Sequence, residues 1–280
     1  MPSSASRALI VGCGDIAMAS ARLIGRRHPL FVIDIDAARL EAAHIALASE
    51  GYSVAVQHCD ITDEASLAAL AARLGQGPSL GIVAHVAALA PSCGDWRQLM
   101  RVNLLGPHLL AQALGPSIEP GGAAVFVGSV AAYVMALQPT LLDVLADPLA
   151  PDFFEALAAA APSPMTPSLG YVYSKAALLA WCERLAVEWG ARGIRVVSVS
   201  PGLITSAMGL RERAHNPETA KFVDQTPLQR EGTVAEAAAM IDLVVSAAAS
   251  FLTGVDILVD GGLRAATRVR AAQDKRAAPR

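Results

Sequence analysis

The stretch ALIVGCGDIA, Ala8–Ala17, decides how the rest of the chain is read. A short β-branched run ends in Gly12-x-Gly14-x-x-Ala17 and passes into a helical pattern. The first glycine permits a tight turn. The second lets the backbone approach a pyrophosphate at the helix N-terminus, and the third small residue lets helix and strand pack closely. With its flanks Asp15 and Ile16, this loop is the candidate phosphate cradle.

Working outward, six further apolar runs follow: Leu30–Asp34, Tyr52–Gln57, Gly81–Val86, Ala123–Gly128, Arg195–Ser200 and Val255–Asp260. They are near-continuously apolar rather than alternating, as strands covered on both faces are. Helical spacing lies between them, for instance in Asp36–Glu50 and Asp63–Leu74. This alternation predicts an α/β fold: one Rossmann-type, doubly wound, parallel seven-stranded sheet with helices on both faces, spanning 1–262. One segment breaks the rhythm. Residues 135–168 are proline-rich, with one helical patch at Phe153–Ala161, and a connection that long is expected to serve the site or an interface. The basic stretch 263–280 lacks apolar periodicity and reads as a solvated tail.

Composition narrows the function classes. Hydrophobic residues make up 54% of the 280 and charged residues 17%, which excludes a disordered chain. A net charge of −3 offers no nucleic-acid surface. Cys13, Cys59, Cys93 and Cys182 are scattered, with neither a metal-site nor a disulfide spacing, so a reducing cytoplasm is the expected home. No leader peptide is read at the N-terminus, and no apolar run is long enough to span a membrane.

At the end of the second strand, Asp34 stands 20 residues past Gly14. An acid there accepts both hydroxyls of an adenosine ribose and repels a 2′-phosphate. Ile35 follows, and no arginine stands in DIDAA (34–38) to receive a phosphate, so NAD is expected rather than NADP.

Further along, GYVYSK (Gly170–Lys175) holds two tyrosines and a lysine. Helical positions four apart lie about 40° apart on one face, which selects Tyr171 as the partner of Lys175 and turns Tyr173 elsewhere. Tyrosine titrates near 10, so proton transfer at neutral pH needs about 4 kcal/mol of help. A lysine ammonium about 5 Å away supplies around 3 kcal/mol at an effective dielectric near 20.

Several of these stretches, in order from Arg7 to Gly262, resemble the short-chain dehydrogenase/reductase family. They are HCDITD, RVNLLG, VFVGSVAAY, the Tyr-x-x-x-Lys of YVYSK, VSVSPGLITSAM and the C-terminal signature from PLQREG to LVDGG. The resemblance implies hydride transfer between NAD(H) and a secondary alcohol or ketone. In that scheme Tyr171 is general acid/base and Ser129 holds the substrate oxygen. Lys175 binds the nicotinamide ribose and lowers the tyrosine pKa, and Asn103 holds a water that feeds a proton relay. Asp60 and Ile61 would meet the adenine, Ala87 and Ala88 leave room for the cofactor, and Ile204 and Ser206 after Pro201-Gly202 would meet its carboxamide. A homodimer or homotetramer is implied.

The chain departs from the family in two places. The glycine-rich loop is one residue short, with Asp15 and Ala17 where glycine is frequent. HVAA (His85–Ala88) replaces Asn-Asn-Ala-Gly, with His85 expected as a satisfied core histidine. The 42-position separation of Ser129 from Tyr171 makes room for a long segment similar in placement to the insertion of bacterial 3α-hydroxysteroid dehydrogenase/carbonyl reductase. Leu141, Leu145, Phe153 and Phe154 are therefore expected to wall an apolar pocket for a bulky, steroid-like or cyclic substrate. Two alternatives remain: a dinucleotide-binding regulator that has lost its chemistry, and a methyltransferase using S-adenosylmethionine. The motif VGCGD resembles that of the methyltransferases but has Ile10 where they carry an acid.

Overall fold

Each strand alternates its side chains between two apolar layers, which is what a doubly covered sheet requires. Ala8 and Ile10 join one buried cluster while Leu9 and Val11 join the other. The computed structural model describes residues 6–277. Strands β1 (Arg7–Val11), β2 (Leu30–Asp34), β3 (Val54–His58), β4 (Leu80–His85), β5 (Ile118–Val127), β6 (Arg195–Pro201) and β9 (Val255–Val259) form one sheet in the order β3-β2-β1-β4-β5-β6-β9. Every pairing is parallel. A second ladder of two residues each joins β7 (Ile204–Thr205) to β8 (Gly232–Thr233). The expected fold class is therefore the observed one, with the third strand displaced by one or two residues and the fifth beginning at Ile118 rather than Ala123.

Helices α1 (Asp15–Ile24), α2 (Ala37–Ser49) and α11 (Val234–Val245) contribute buried side chains to one face. The other face is covered by α3 (Glu64–Leu74), α4 (Trp96–Met100), α5 (Gly106–Leu114) and α8 (Pro167–Gly190). Their starts are set chemically: Asp36, Asp63, Asp95 and Thr166 each accept a backbone N–H from the first turn of the helix that follows. Thr233 and Glu236 form a reciprocal capping box on α11.

Two expectations are corrected. The proline-rich segment holds α6 (Pro139–Leu145) as well as α7 (Phe153–Ala160), and both lie against the main core. Leu141, Leu145 and Phe153 are 1–2% exposed, so they are core residues and wall no open pocket. Phe154 is partly buried, edge-on to Trp96 and beneath the Arg101 guanidinium. The basic tail is also structured. Leu263–Ala277 form α12, which buries Leu263 and places the Arg264 guanidinium 4.0 Å from the Tyr133 ring centroid. Its strongly basic, apolar-poor surface hid the helix from periodicity. Residues 278–280 lie outside the described residues.

Among the described residues no helix is long and apolar enough to cross a membrane. If α7 is core, Leu157→Ala should cost about 2–4 kcal/mol of unfolding free energy in urea titrations. Val187→Ala, at an exposed position of α8, should change it by less than about 0.5 kcal/mol.

Candidate active site

Strand order reverses direction between β1 and β4, and the cleft opens outside their carboxyl ends. Gly12 sits at this point with φ +102°, and a Cβ on it would lie 3.1 Å from the Ala87 backbone. Both features demand glycine. The Val86 and Ala87 N–H groups donate to the Val11 carbonyl at 3.0 and 2.8 Å, carrying the β1–β4 pairing past the strand ends. The resulting cleft is lined by Gly12, Asp34, Ile35, Asp60, Ile61 and Ala87, among others.

Asp34 is fixed from two directions. Its Oδ2 accepts the Cys13 N–H at 2.7 Å, and its Oδ1 accepts the Asp36 N–H at 2.8 Å. The Cys13 thiol, partly buried beside this carboxylate, is pushed up to about 12, chiefly by burial. Arg39, one turn into α2, spends its guanidinium on Asp36 at 2.8 Å. Asp60 Oδ1 accepts from the Thr62 N–H and hydroxyl, and Oδ2 has no protein partner among the described residues. Ile61 packs against α5, where a side chain on Gly106 would collide with it at 2.8 Å. A glycine turn, an acid at the end of β2 and an open carboxylate oxygen beyond β3 fit an adenosine moiety.

At the other end of the cleft, Tyr171 and Lys175 share one face of α8, as the four-residue spacing requires. Tyr173 points away and is 1% exposed in the core. Lys175 is 2% exposed, donates to the Val127 carbonyl at 2.8 Å, and lies 5.9 Å from the Tyr171 ring centroid. Burial, with no carboxylate bonded to it, brings its ammonium down to about 8. Burial also pushes the Tyr171 phenol above its ordinary value, while a hydrogen bond with Ser129 pulls the other way. Lys175 was expected to lower this tyrosine. Desolvation of the phenol itself is the larger effect here, and it raises the pKa. Ser129 follows β5 and accepts the Ala131 N–H at 3.1 Å.

Asn103 lies in a π-helical turn, Arg101–Leu105, between α4 and α5. Its amide bonds the Leu89 backbone twice: Oδ1 accepts the N–H at 2.8 Å and Nδ2 donates to the carbonyl at 2.9 Å. The side chain thus clamps the loop after β4. Pro201 ends β6, and a Cβ on Gly202 would meet Asp260 at 2.8 Å. Ile204 is buried and Ser206 caps α9 (Ala207–His215) through the Gly209 N–H at 3.1 Å. Ala88 is half-buried beside Ala87.

Three features escaped sequence reasoning. Asp15, in the phosphate loop, accepts the Ala207 N–H at 2.6 Å across 192 residues. Glu212 on α9 accepts the Ser92 N–H at 3.1 Å, and its charge acts on Tyr171. His85 is buried and stacked on Phe126 as a core residue, but its Nε2 has no partner among the described residues, so it is not the satisfied histidine expected. No local pattern signals contacts that join residues so far apart.

The family described as enoyl-(acyl carrier protein) reductase matches residues 15–142 and 157–264, lapsing within the proline-rich segment. A short-chain dehydrogenase/reductase of Alternaria brassicicola is 30% identical over 275 residues, covering 92% of this chain and 96% of that one. Galactitol 2-dehydrogenase (L-tagatose-forming) of Cereibacter sphaeroides is 30% identical over 258 residues, covering 89% and 88%. A short-chain type dehydrogenase/reductase from Mycobacterium ulcerans shares the fold with a TM-score of 0.75 at 23% identity, covering 95% of this chain and 92% of that one. The chain belongs to the short-chain dehydrogenase/reductase family.

Burial also sets a pH dependence. His85 and His108 are held down to about 3 and about 4, against 6.5 in the open chain. Below 6.5 the unfolded chain binds protons that the folded one refuses, so stability falls as pH drops from 6.5 toward 4. His85→Phe, which keeps the stack on Phe126, should flatten this limb in urea midpoints measured from pH 7 to 4.5.

Proposed function

We propose that the protein transfers a hydride between NAD(H) and a secondary alcohol or ketone. The observation that carries this reading is the grouping of Ser129, Tyr171 and a buried, carboxylate-free Lys175 at the end of β5. The bound nicotinamide would supply the hydride acceptor or donor. The protein's own groups must then hold the reacting oxygen and move one proton. Ser129 orients that oxygen by hydrogen bonding. Tyr171 takes the hydroxyl proton in oxidation and returns it in reduction. Lys175, anchored on Val127, favours the phenolate once a second positive charge arrives beside it. Asn103 holds the loop after β4 in place, and from that position it would hold the water of a proton relay.

Asp34, already ordered by two backbone donors, would accept the ribose hydroxyls, with Asp60 and Ile61 at the adenine and Gly12, Gly14 and Ile16 at the phosphates. Because Arg39 is committed to Asp36, a 2′-phosphate would meet net negative charge, which favours NAD. Residues 1–262 act as one catalytic unit, working as a homodimer or homotetramer in a reducing cytoplasm, where the four free cysteines stay reduced.

For the substrate, exposed Val134, Met135 and Leu142 at the start of the proline-rich segment favour a bulky hydrophobic alcohol. Glu212, acting on Tyr171 from α9, favours a second reading: a polyol whose neighbouring hydroxyls donate to a carboxylate, as a relative named galactitol 2-dehydrogenase would suggest. A panel of cyclic ketones, steroids and hexitols with NAD and NADP, read by nicotinamide absorbance, separates the two. Tyr171→Phe should lower kcat by about 10³-fold while NADH fluorescence titrations show unchanged binding. Wild-type protein that binds NADH and turns over nothing would instead identify a regulator.

A further inference from the structure

Asp15 stands where the phosphate cradle should be most attractive to an anion. It is the first residue of α1, directly after Gly14, whose cap position offers no side-chain acceptor. Its Oδ2 also takes the N–H of Ala207, the first residue of α9, at 2.6 Å. Ser206 is occupied with the Gly209 N–H, so the Ala207 donor is satisfied from across the cleft. One carboxylate therefore lies between two helix N-termini, both of which favour negative charge. The same helix is tied on its other side through Glu212 and the Ser92 N–H. Below it, the β7–β8 ladder and the ion pair of Arg213 with Glu231 fix the base of this flap.

We infer that the Asp15 carboxylate occupies the anion position between α1 and α9 and latches α9 over the cleft, so that a dinucleotide's diphosphate binds only by displacing it. Asp15 is thus an affinity-setting residue. It repels the diphosphate when in place, and its release from Ala207 frees both an N–H donor for the phosphate and the N-terminus of α9. This rests on the dinucleotide reading of the cleft above. Adenosine, which carries no phosphate, fills only the Asp34–Asp60 end and does not meet the latch.

The test compares wild type, Asp15→Asn and Asp15→Gly. Asparagine keeps an oxygen for the Ala207 N–H and removes the charge, and glycine removes both. NADH is titrated by its fluorescence and adenosine by NMR, each at low and high salt. NADH should bind about tenfold more tightly to both variants, as expected for removing one like charge at close range. The gap should narrow at high salt, where the repulsion is screened. Adenosine affinity should be unchanged in all three, which also reports an intact fold. Equal or weaker NADH binding in the variants, with adenosine still bound, would overturn the latch and leave the cofactor reading standing. Failure of every form to bind either ligand would overturn both.

Discussion

Strands β1 and β4 remain bonded beyond their formal ends, and everything functional is arranged around that seam. Two consecutive N–H groups, of Val86 and Ala87, converge on the Val11 carbonyl. They can do so only because Gly12 has no side chain to collide with Ala87. The chain leaves the sheet to opposite faces on either side of this seam, so the cleft opens there and nowhere else along the sheet edge. Asp34 then ties β2 to the same turn through Cys13, and Asn103 ties the β4 loop to the helices beneath. The site is stiff because backbone, not side-chain packing alone, joins its two ends.

Lys175 illustrates the cost of such a site. A buried ammonium held to one carbonyl, with its pKa brought down to about 8, opposes folding by a penalty on the order of 3 kcal/mol. The surrounding core of α8, with Tyr173, Trp181 and Trp189 buried alongside, offsets it. Removing the charge would relax the core and also remove the ammonium proposed above to favour a phenolate at Tyr171. Stability and chemistry pull against each other at this residue.

The seven strands were readable because parallel strands covered on both faces announce themselves as apolar runs, and Asp34 and Tyr171 because spacing alone places them. Other features were closed to that kind of reading. The α6 helix begins at Pro139 in a stretch whose prolines look like loop, and α12 carries too few apolar residues to show a period. Asp15 meets Ala207, and Glu212 meets Ser92, only after the chain has folded. Leu141, Leu145 and Phe153 were correctly read as apolar but assigned to a cavity, because hydrophobicity does not distinguish a pocket wall from a core.

The seating of α6 and α7 in the same core as α8 has an evolutionary consequence. A segment that formed an independent lid could drift freely, exploring new substrates at no cost to the scaffold. Here Leu141, Leu145, Phe153 and Leu157 belong to the same buried cluster as the helix bearing the tyrosine and lysine. Changes on the inner faces of these two helices are felt first as loss of folded protein. Change is thereby channelled to exposed positions such as Val134, Met135 and Leu142, where side chains can vary without loosening α8.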